Sequence, residues 1–397
     1  MILSNKKIII LGGGISGLTV AWRLQELGFQ AEVCESNEFI GGLAGTVRPE
    51  DGRYCLDFGP HFFITQKQEI VERITDLLAD DVLSFERSAQ LYVLGRFLDY
   101  PLSAKNVLLN FPLSDAIASI ITFAWAQLKA AAKYLLSTDS TSVNFGDWAT
   151  ANFGNHLAKI FFRPYTEGFW KIPCENLSSE IIPTSTRLNF MKSMKMMFLR
   201  KVSGPAKSLT ERELVLPLRY PKRGYGVIAE NIADRVLNMG GIIRQNARVV
   251  KVKLRDDGTY LVKVAQDDNL IELHADHVVS TIPIPNLVNM MSPEAPPIVS
   301  QSADKLGYLS LIVLYVVTTK NNLLDTSYVY YLDRPYHRLA EMDKFCDSLS
   351  PDGENMLAVE FSCHRGDEIW NMNEQDLLEL ALPHLEHDNI LIRNEVD

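Results

Sequence analysis

Three glycines and one carboxylate near the N-terminus come closest to specifying a chemistry by type and spacing alone. Gly12, Gly14 and Gly17 follow directly on the apolar run Ile8–Leu11, and Glu35 closes a second apolar stretch, Phe29–Glu35. Gly12 permits a tight turn after a strand, Gly14 lets a pyrophosphate approach the backbone, and Gly17 lets a helix pack closely on that strand. The helix that starts at Ile15-Ser16 turns free N–H groups and a positive dipole end toward phosphate oxygens. Glu35 stands where a carboxylate accepts hydrogen bonds from a ribose diol, and its charge disfavours a 2′-phosphate. A glycine cluster alone is an ordinary loop. Strand, turn, helix, strand and acid in this order are a dinucleotide site.

Those residues need a parallel sheet to hold them. Ile8–Leu11 has the β-branched character of a buried parallel strand, and Leu18–Leu27, closed by Gly28, has that of a crossover helix. Further along, residues 66–80 carry Ile70, Ile74, Leu77 and Leu78 at helical spacing. Gln90–Leu102 predicts a hairpin turning at Gly95-Arg96. Residues 116–136 form the most apolar helical run, too short to span a bilayer and therefore buried or interfacial. A helical region then starts at Phe145 and runs through Pro173. Gly240-Gly241 ends a helix that opens near Gly226, and the Asp256-Asp257-Gly258 turn joins strands 247–253 and 259–264. Strands follow at 277–283, 309–317, 327–332 and 356–363, with a last helix at 374–385.

Composition narrows the function classes. The chain has 397 residues, enough for two or three domains, with 47% apolar and 22% charged residues. A net charge of −10 makes nucleic acid an unsuitable partner. The five cysteines are odd in number, dispersed and without a CxxC, which suits reduced thiols in the cytoplasm. The eight histidines form no metal-ligand pattern, and His274 and His277 are expected to be solvated. Against the acidic background, residues 187–223 hold ten Lys or Arg and two Glu, with methionines at 191, 194, 196 and 197. Such a stretch suits an anionic small molecule or, as the competing account, peripheral contact with an anionic membrane. Oligomeric state is not readable from these features.

Past Glu35 and Ser36, the pair Gly41-Gly42 with Leu43-Ala44-Gly45 resembles the amine oxidase and protoporphyrinogen oxidase superfamily of FAD proteins. The resemblance implies FAD, held non-covalently in an α/β Rossmann domain of the glutathione-reductase type. That domain is interrupted by a helical domain and a mixed β-sheet substrate domain. It further implies cofactor contacts from Gly12, Gly14, Ile15, Ser16, Gly17, Glu35, Ser36, Gly42, Leu43, Ala44 and Thr281, and from the Val249 backbone at the adenine. Asp57–Thr65 resembles the Gly-Pro-His-x-Phe segment of bacterial UDP-galactopyranose mutases. This places Gly59, Pro60 and His61 beside the flavin, with His61 as a catalytic candidate. Phe161-Phe162-x-x-Tyr165-Thr166 with Trp170 and Leu177 matches a substrate-domain segment of the same mutases. It implies substrate contacts from Tyr165, Thr166 and Trp170, and Arg163 among them is a further candidate for holding an anionic substrate. The mutases carry a substrate arginine soon after the tryptophan; Arg187 is the nearest counterpart here, a few residues later.

The expected organisation is a discontinuous FAD domain at 1–65 and 222–285, a mainly helical cap at 66–221, and an antiparallel sheet with a helix at 286–397. The superfamily's closing strand and glycine-bearing helix do not follow Asn389–Arg393, so the last FAD-contacting segment is expected to be missing and FAD affinity to be weaker. Three functions are compatible with these readings. The first is an FAD-dependent oxidoreductase of glycan or nucleotide-sugar metabolism, acting on a small anionic substrate. The second is a redox-neutral mutase similar to UDP-galactopyranose mutase, and the third is a non-catalytic, incomplete flavoprotein.

Overall fold

The computed structural model describes residues 6–65, 67–79, 81–86, 88–100, 109–135, 144–181, 218–267 and 269–396. Arg187 and the rest of the basic stretch up to residue 217 lie outside them. The chain forms two units. The first takes residues 1–63, 67–83 and 219–308, and the second takes 64–66, 84–218 and 309–397. Residues 67–83 and 286–308 thus pack with the dinucleotide-binding part, and the helical and C-terminal sheet regions share one unit.

The first unit is built on a parallel sheet of four strands in the order His277–Ser280, Lys7–Leu11, Gln30–Cys34, Ile242–Arg244. Alternation along Lys7–Leu11 explains its two faces, because successive side chains point to opposite sides of a strand. Ile8 and Ile10 join Ala21, Val33 and Val236 beneath the helices Ile15–Glu26 and Val227–Asn238. Ile9 and Leu11 instead join Val249, Val252, Val262 and Val264 of an antiparallel sheet, Ala247–Leu254, Tyr260–Gln266 and Asn269–Ala275. Ile9, Ile10 and Leu11 have no exposed surface at all, so the strand that feeds the glycine turn is clamped from both sides.

In the second unit a six-stranded sheet runs in the order Ser310–Thr318, Asn355–Cys363, Arg338–Glu341, Tyr328–Tyr331, Ala89–Val93, Arg96–Asp99. Asn355–Cys363 is buried along its whole length, under the helix Glu374–His387. The sheet is not purely antiparallel, as the pattern of residues 286–397 suggests. Tyr328–Tyr331 pairs in parallel with Ala89–Val93, a partner remote in sequence. The hairpin turn also differs by one residue. Val93 pairs with Arg96, and the turn is Leu94-Gly95, with φ of 53° and 74°. Two positive φ values give the turn twist that matches paired strands, and glycine meets only one of them without strain. Helices Leu113–Leu135, Phe145–Phe153 and Arg163–Trp170 complete the unit, with a π-helical turn at Ala158–Phe162.

A buried ion pair ties three strands of the first unit together. The Glu32 side chain is 2% exposed and receives Lys7 Nζ at 2.6 Å and Arg244 Nε at 2.5 Å. Burial alone would raise this carboxyl, but the hydrogen bonds and charges of Lys7 and Arg244 hold it below the usual range. A depressed folded pKa means stabilisation that is present above the unfolded pKa and is lost as pH falls through the folded one. Glu32→Gln is expected to lose about 2 kcal/mol near pH 7, since both cations keep partial access to water. The deficit should shrink as the pH of a urea titration is lowered, once wild-type Glu32 is itself protonated.

Candidate functional site

At the end of the clamped strand, Gly12 takes φ of 101° and its N–H donates to the Cys34 carbonyl at 2.9 Å. The helix begins at once, with Gly14 as its N-cap and no capping side chain, which leaves its first N–H groups for a ligand. A Cβ on Gly17 would lie 2.0 Å from the Gly12 carbonyl oxygen, so only glycine lets the helix sit this close to the turn. Thr281 closes the other side, its Oγ1 donating to the Leu11 carbonyl at 2.9 Å. Gly41 N–H donates to the Gly13 carbonyl at 2.8 Å, and a short 3-10 turn, Gly42–Ala44, follows. A Cβ on Gly42 would meet Gly14 Cα at 3.2 Å. The two glycine segments therefore form one backbone-walled cradle, with Ile15 half-buried, and Ser16 and Leu43 exposed.

Glu35 is 6% exposed and its carboxylate is fixed. Gly13 N–H donates to it at 2.7 Å, Asn37 N–H at 2.9 Å and the Ser36 hydroxyl at 3.1 Å. Two carboxylate oxygens offer about four acceptor positions, so capacity for a ribose hydroxyl remains. Beside it lies a cavity of about 480 Å³ lined by Gly12, Glu35, Ser36, Arg248, Val249, Ile282 and Asn286 among others. This cavity opens at the carboxyl ends of the parallel strands, where α/β sheets bind ligands. Arg248, Ile282 and Asn286 have no motif of their own in the sequence, and only the return of strands 247–254 and 277–280 brings them to Glu35.

Gly59 and Pro60 are buried and lead to His61, whose ring stacks on Tyr225 with centroids 5.4 Å apart. Beneath them Asp57 is 2% exposed and accepts from Thr46 Oγ1 at 2.5 Å, Tyr220 Oη at 2.5 Å and the Tyr225 N–H at 3.0 Å. Burial pushes the Asp57 carboxyl up, and burial together with Asp57 pushes the Tyr225 hydroxyl up to about 12. His61 Nδ1 is buried and has no hydrogen-bond partner among the described residues. Asp57, Tyr220 and Tyr225 are the neighbours that the sequence did not single out. Gly224 and Gly226, packed against Thr46, were the available signal for Tyr225.

The candidate substrate residues belong to the second unit. Tyr165 meets Tyr330 edge-on at 5.9 Å, and burial pushes its hydroxyl far above the usual tyrosine range. Arg163 donates to the Glu175 carboxylate, Thr166 is buried, and Trp170 packs edge-on against Phe169 at 5.4 Å. A basic group that no sequence motif marks stands by the same rings. The Arg338 guanidinium lies 5.9 Å from the Tyr330 ring and 6.0 Å from that of Tyr328. It makes two 2.7 Å bonds to the fully buried Glu360 carboxylate, which also faces His337 Nε2 at 3.1 Å. Burial would raise Glu360, but the adjacent Arg338 and His337 hold it below the usual range. Opposed charges on paired strands, Arg338 and Glu360, were visible in the sequence only as two isolated residues.

The residues of the first unit fit a bound dinucleotide. The cradle excludes any Cβ at Gly17, the cavity carries a fixed carboxylate, and His61 Nδ1 waits for a partner. Comparison with known proteins agrees. Residues 15–391 match the family model described as flavin containing amine oxidoreductase. Among curated proteins, the chain is 23% identical over 184 residues to the coproporphyrinogen III oxidase of Bacillus subtilis, covering 44% of this chain and 38% of that one. It is 24% identical over 239 residues to a probable UDP-galactopyranose mutase of Klebsiella pneumoniae, covering 58% and 54%. The chain thus spans about half or less of the length of these relatives. Among solved structures, reduced UDP-galactopyranose mutase superposes with a TM-score of 0.79 at 21% identity, covering 98% of this chain and 80% of that one. The chain belongs to the flavin containing amine oxidoreductase family, and its cofactor is FAD.

Proposed function

We propose that this chain is an FAD-dependent oxidoreductase that removes hydride from a small anionic substrate of glycan or nucleotide-sugar metabolism. The observation that carries the substrate class is the pair of half-buried rings Tyr165 and Tyr330 beside a permanently charged arginine, Arg338. Flat rings suit a uracil or sugar face, and a planar guanidinium suits phosphate oxygens. The matching Klebsiella pneumoniae protein, a probable UDP-galactopyranose mutase, supports the same substrate class.

FAD, when bound, supplies the two-electron acceptor. The protein supplies position. Gly14 and Gly42 would let the pyrophosphate reach backbone N–H groups, and Glu35 would anchor the ribose. Tyr225 holds the His61 ring by stacking, so that its unpaired Nδ1 can hold or release one proton at a fixed place. Asp57, accepting from the Tyr225 N–H at 3.0 Å, fixes Tyr225 from below. A second reading, redox-neutral isomerisation of a nucleotide sugar, is favoured by the fold's likeness to reduced UDP-galactopyranose mutase along 98% of the chain.

Three experiments test these statements. Gly14→Val directs branched methyl groups into the pyrophosphate path and is expected to yield folded protein without flavin absorbance; a variant that copurifies with wild-type amounts of FAD removes the cofactor site from Gly14. A panel of UDP-sugars mixed anaerobically with the oxidised protein should bleach the flavin and release an oxidised sugar. Isomerised sugar formed only after dithionite reduction selects the mutase reading, and neither change, with flavin still bound, removes both. In UDP titrations, Arg187→Ala and Arg338→Lys should each cost about 2 kcal/mol with FAD content unchanged. Arg163→Ala should weaken UDP binding as well, with FAD content unchanged.

A further inference from the structure

The 23-residue helix Leu113–Leu135 has one face in contact with the protein and one without a partner among the described residues. Ala116, Ser119 and Ala126 are buried on the inner face, where the helix packs on Phe145–Phe153. Polar groups at the flanks of that face are engaged: Gln127 Nε2 donates to the Asn152 carbonyl at 2.9 Å, and Asp115 meets His156 at 2.9 Å. The other face is apolar. Leu113 is 75% exposed, Ile117 48%, Ile120 44%, Ile121 62%, Trp125 59% and Leu128 64%. Spacings of three and four residues put these side chains in a single stripe, roughly 22 Å long at 1.5 Å per residue. Exposed apolar surface on this scale marks an interaction site.

Charge decides between occupants. The chain carries a net charge of −10, yet the outward residues of this helix from 113 to 132 include no carboxylate. Their one charge is Lys129, whose Nζ lies 5.5 Å from the Trp125 ring centroid. Indole and ammonium together suit the headgroup level of a bilayer, where one side of each group is apolar and the other wet. The stripe offers almost no hydrogen-bonding group, Ser114 apart, that could set the register of a protein partner. No helix among the described residues is long and apolar enough to cross a membrane, so the stripe would lie in the plane of the interface.

We propose that helix Leu113–Leu135 docks the protein on anionic lipid surfaces, with Leu113, Ile117, Ile121, Trp125 and Leu128 in the acyl–headgroup boundary and Lys129 among the headgroups. The experiment is co-sedimentation of the flavin-loaded protein with vesicles of phosphatidylcholine alone or mixed with phosphatidylglycerol, combined with light scattering without lipid. Wild type should sediment with the mixed vesicles. Ile121→Glu combined with Trp125→Glu should reduce binding at least tenfold with flavin absorbance unchanged. Lys129→Glu should abolish the preference for phosphatidylglycerol. Absence of wild-type binding, or equal binding by the double variant, overturns the proposal. So does a wild-type dimer that the double variant converts to monomer, which would assign the stripe to a second copy of this chain.

Discussion

The contact between the Gly17 backbone and the Gly12 carbonyl governs the cofactor side of this protein. With no Cβ at residue 17, the helix starts within one turn of the strand end, and its N-terminal N–H groups face the space above the sheet. The same turn brings Gly13 N–H to Glu35 and the Gly13 carbonyl to Gly41. The helix N-terminus, Glu35 and the second glycine segment are therefore positioned by one close approach. The strand beneath it cannot yield, because Ile8 and Ile10 are buried under helices while Ile9 and Leu11 are buried under the antiparallel sheet.

Three buried carboxylates show how the surroundings set charge. Glu32 and Glu360 each meet cations, Lys7 and Arg244 in one case and Arg338 in the other, and both are held below the usual range. Asp57 accepts from Thr46, Tyr220 and the Tyr225 N–H, all neutral, and burial leaves it above that range. Opposite charge outweighs desolvation where it is adjacent; neutral hydrogen bonds do so only in part. The first two stitch strands together. Asp57 instead supports the stack of Tyr225 and His61.

Much of the cofactor site was legible because its physics is local. Gly12, Gly14, Gly17 and Glu35 lie within one strand–helix–strand unit, where sequence spacing and spatial spacing coincide. The hairpin through Asp256-Asp257-Gly258 and the helices at 113–135, 227–238 and 374–387 were visible for the same reason. Tyr225 under His61 and Asn286 beside Glu35 were not, since each meets its neighbour through packing between remote segments; Arg338 meets Tyr330 through the register of two neighbouring strands, which no motif marks.

The amino-acid order by itself determined the parallel strand, the glycine turn, the acid at its partner's end and the alternation that sandwiches the strand. These follow from steric limits and from periods of two and 3.6 residues. The tertiary structure alone decided which face of helix Leu113–Leu135 is left apolar and exposed, that Ala89–Val93 lies parallel to Tyr328–Tyr331, and that Glu360 neutralises Arg338. Local patterns state that a residue will be buried or paired; its partner is chosen by the packing of separate segments, 22 residues apart for Arg338 and Glu360 and far more for Ala89–Val93 and Tyr328–Tyr331, where strand register and shared burial decide.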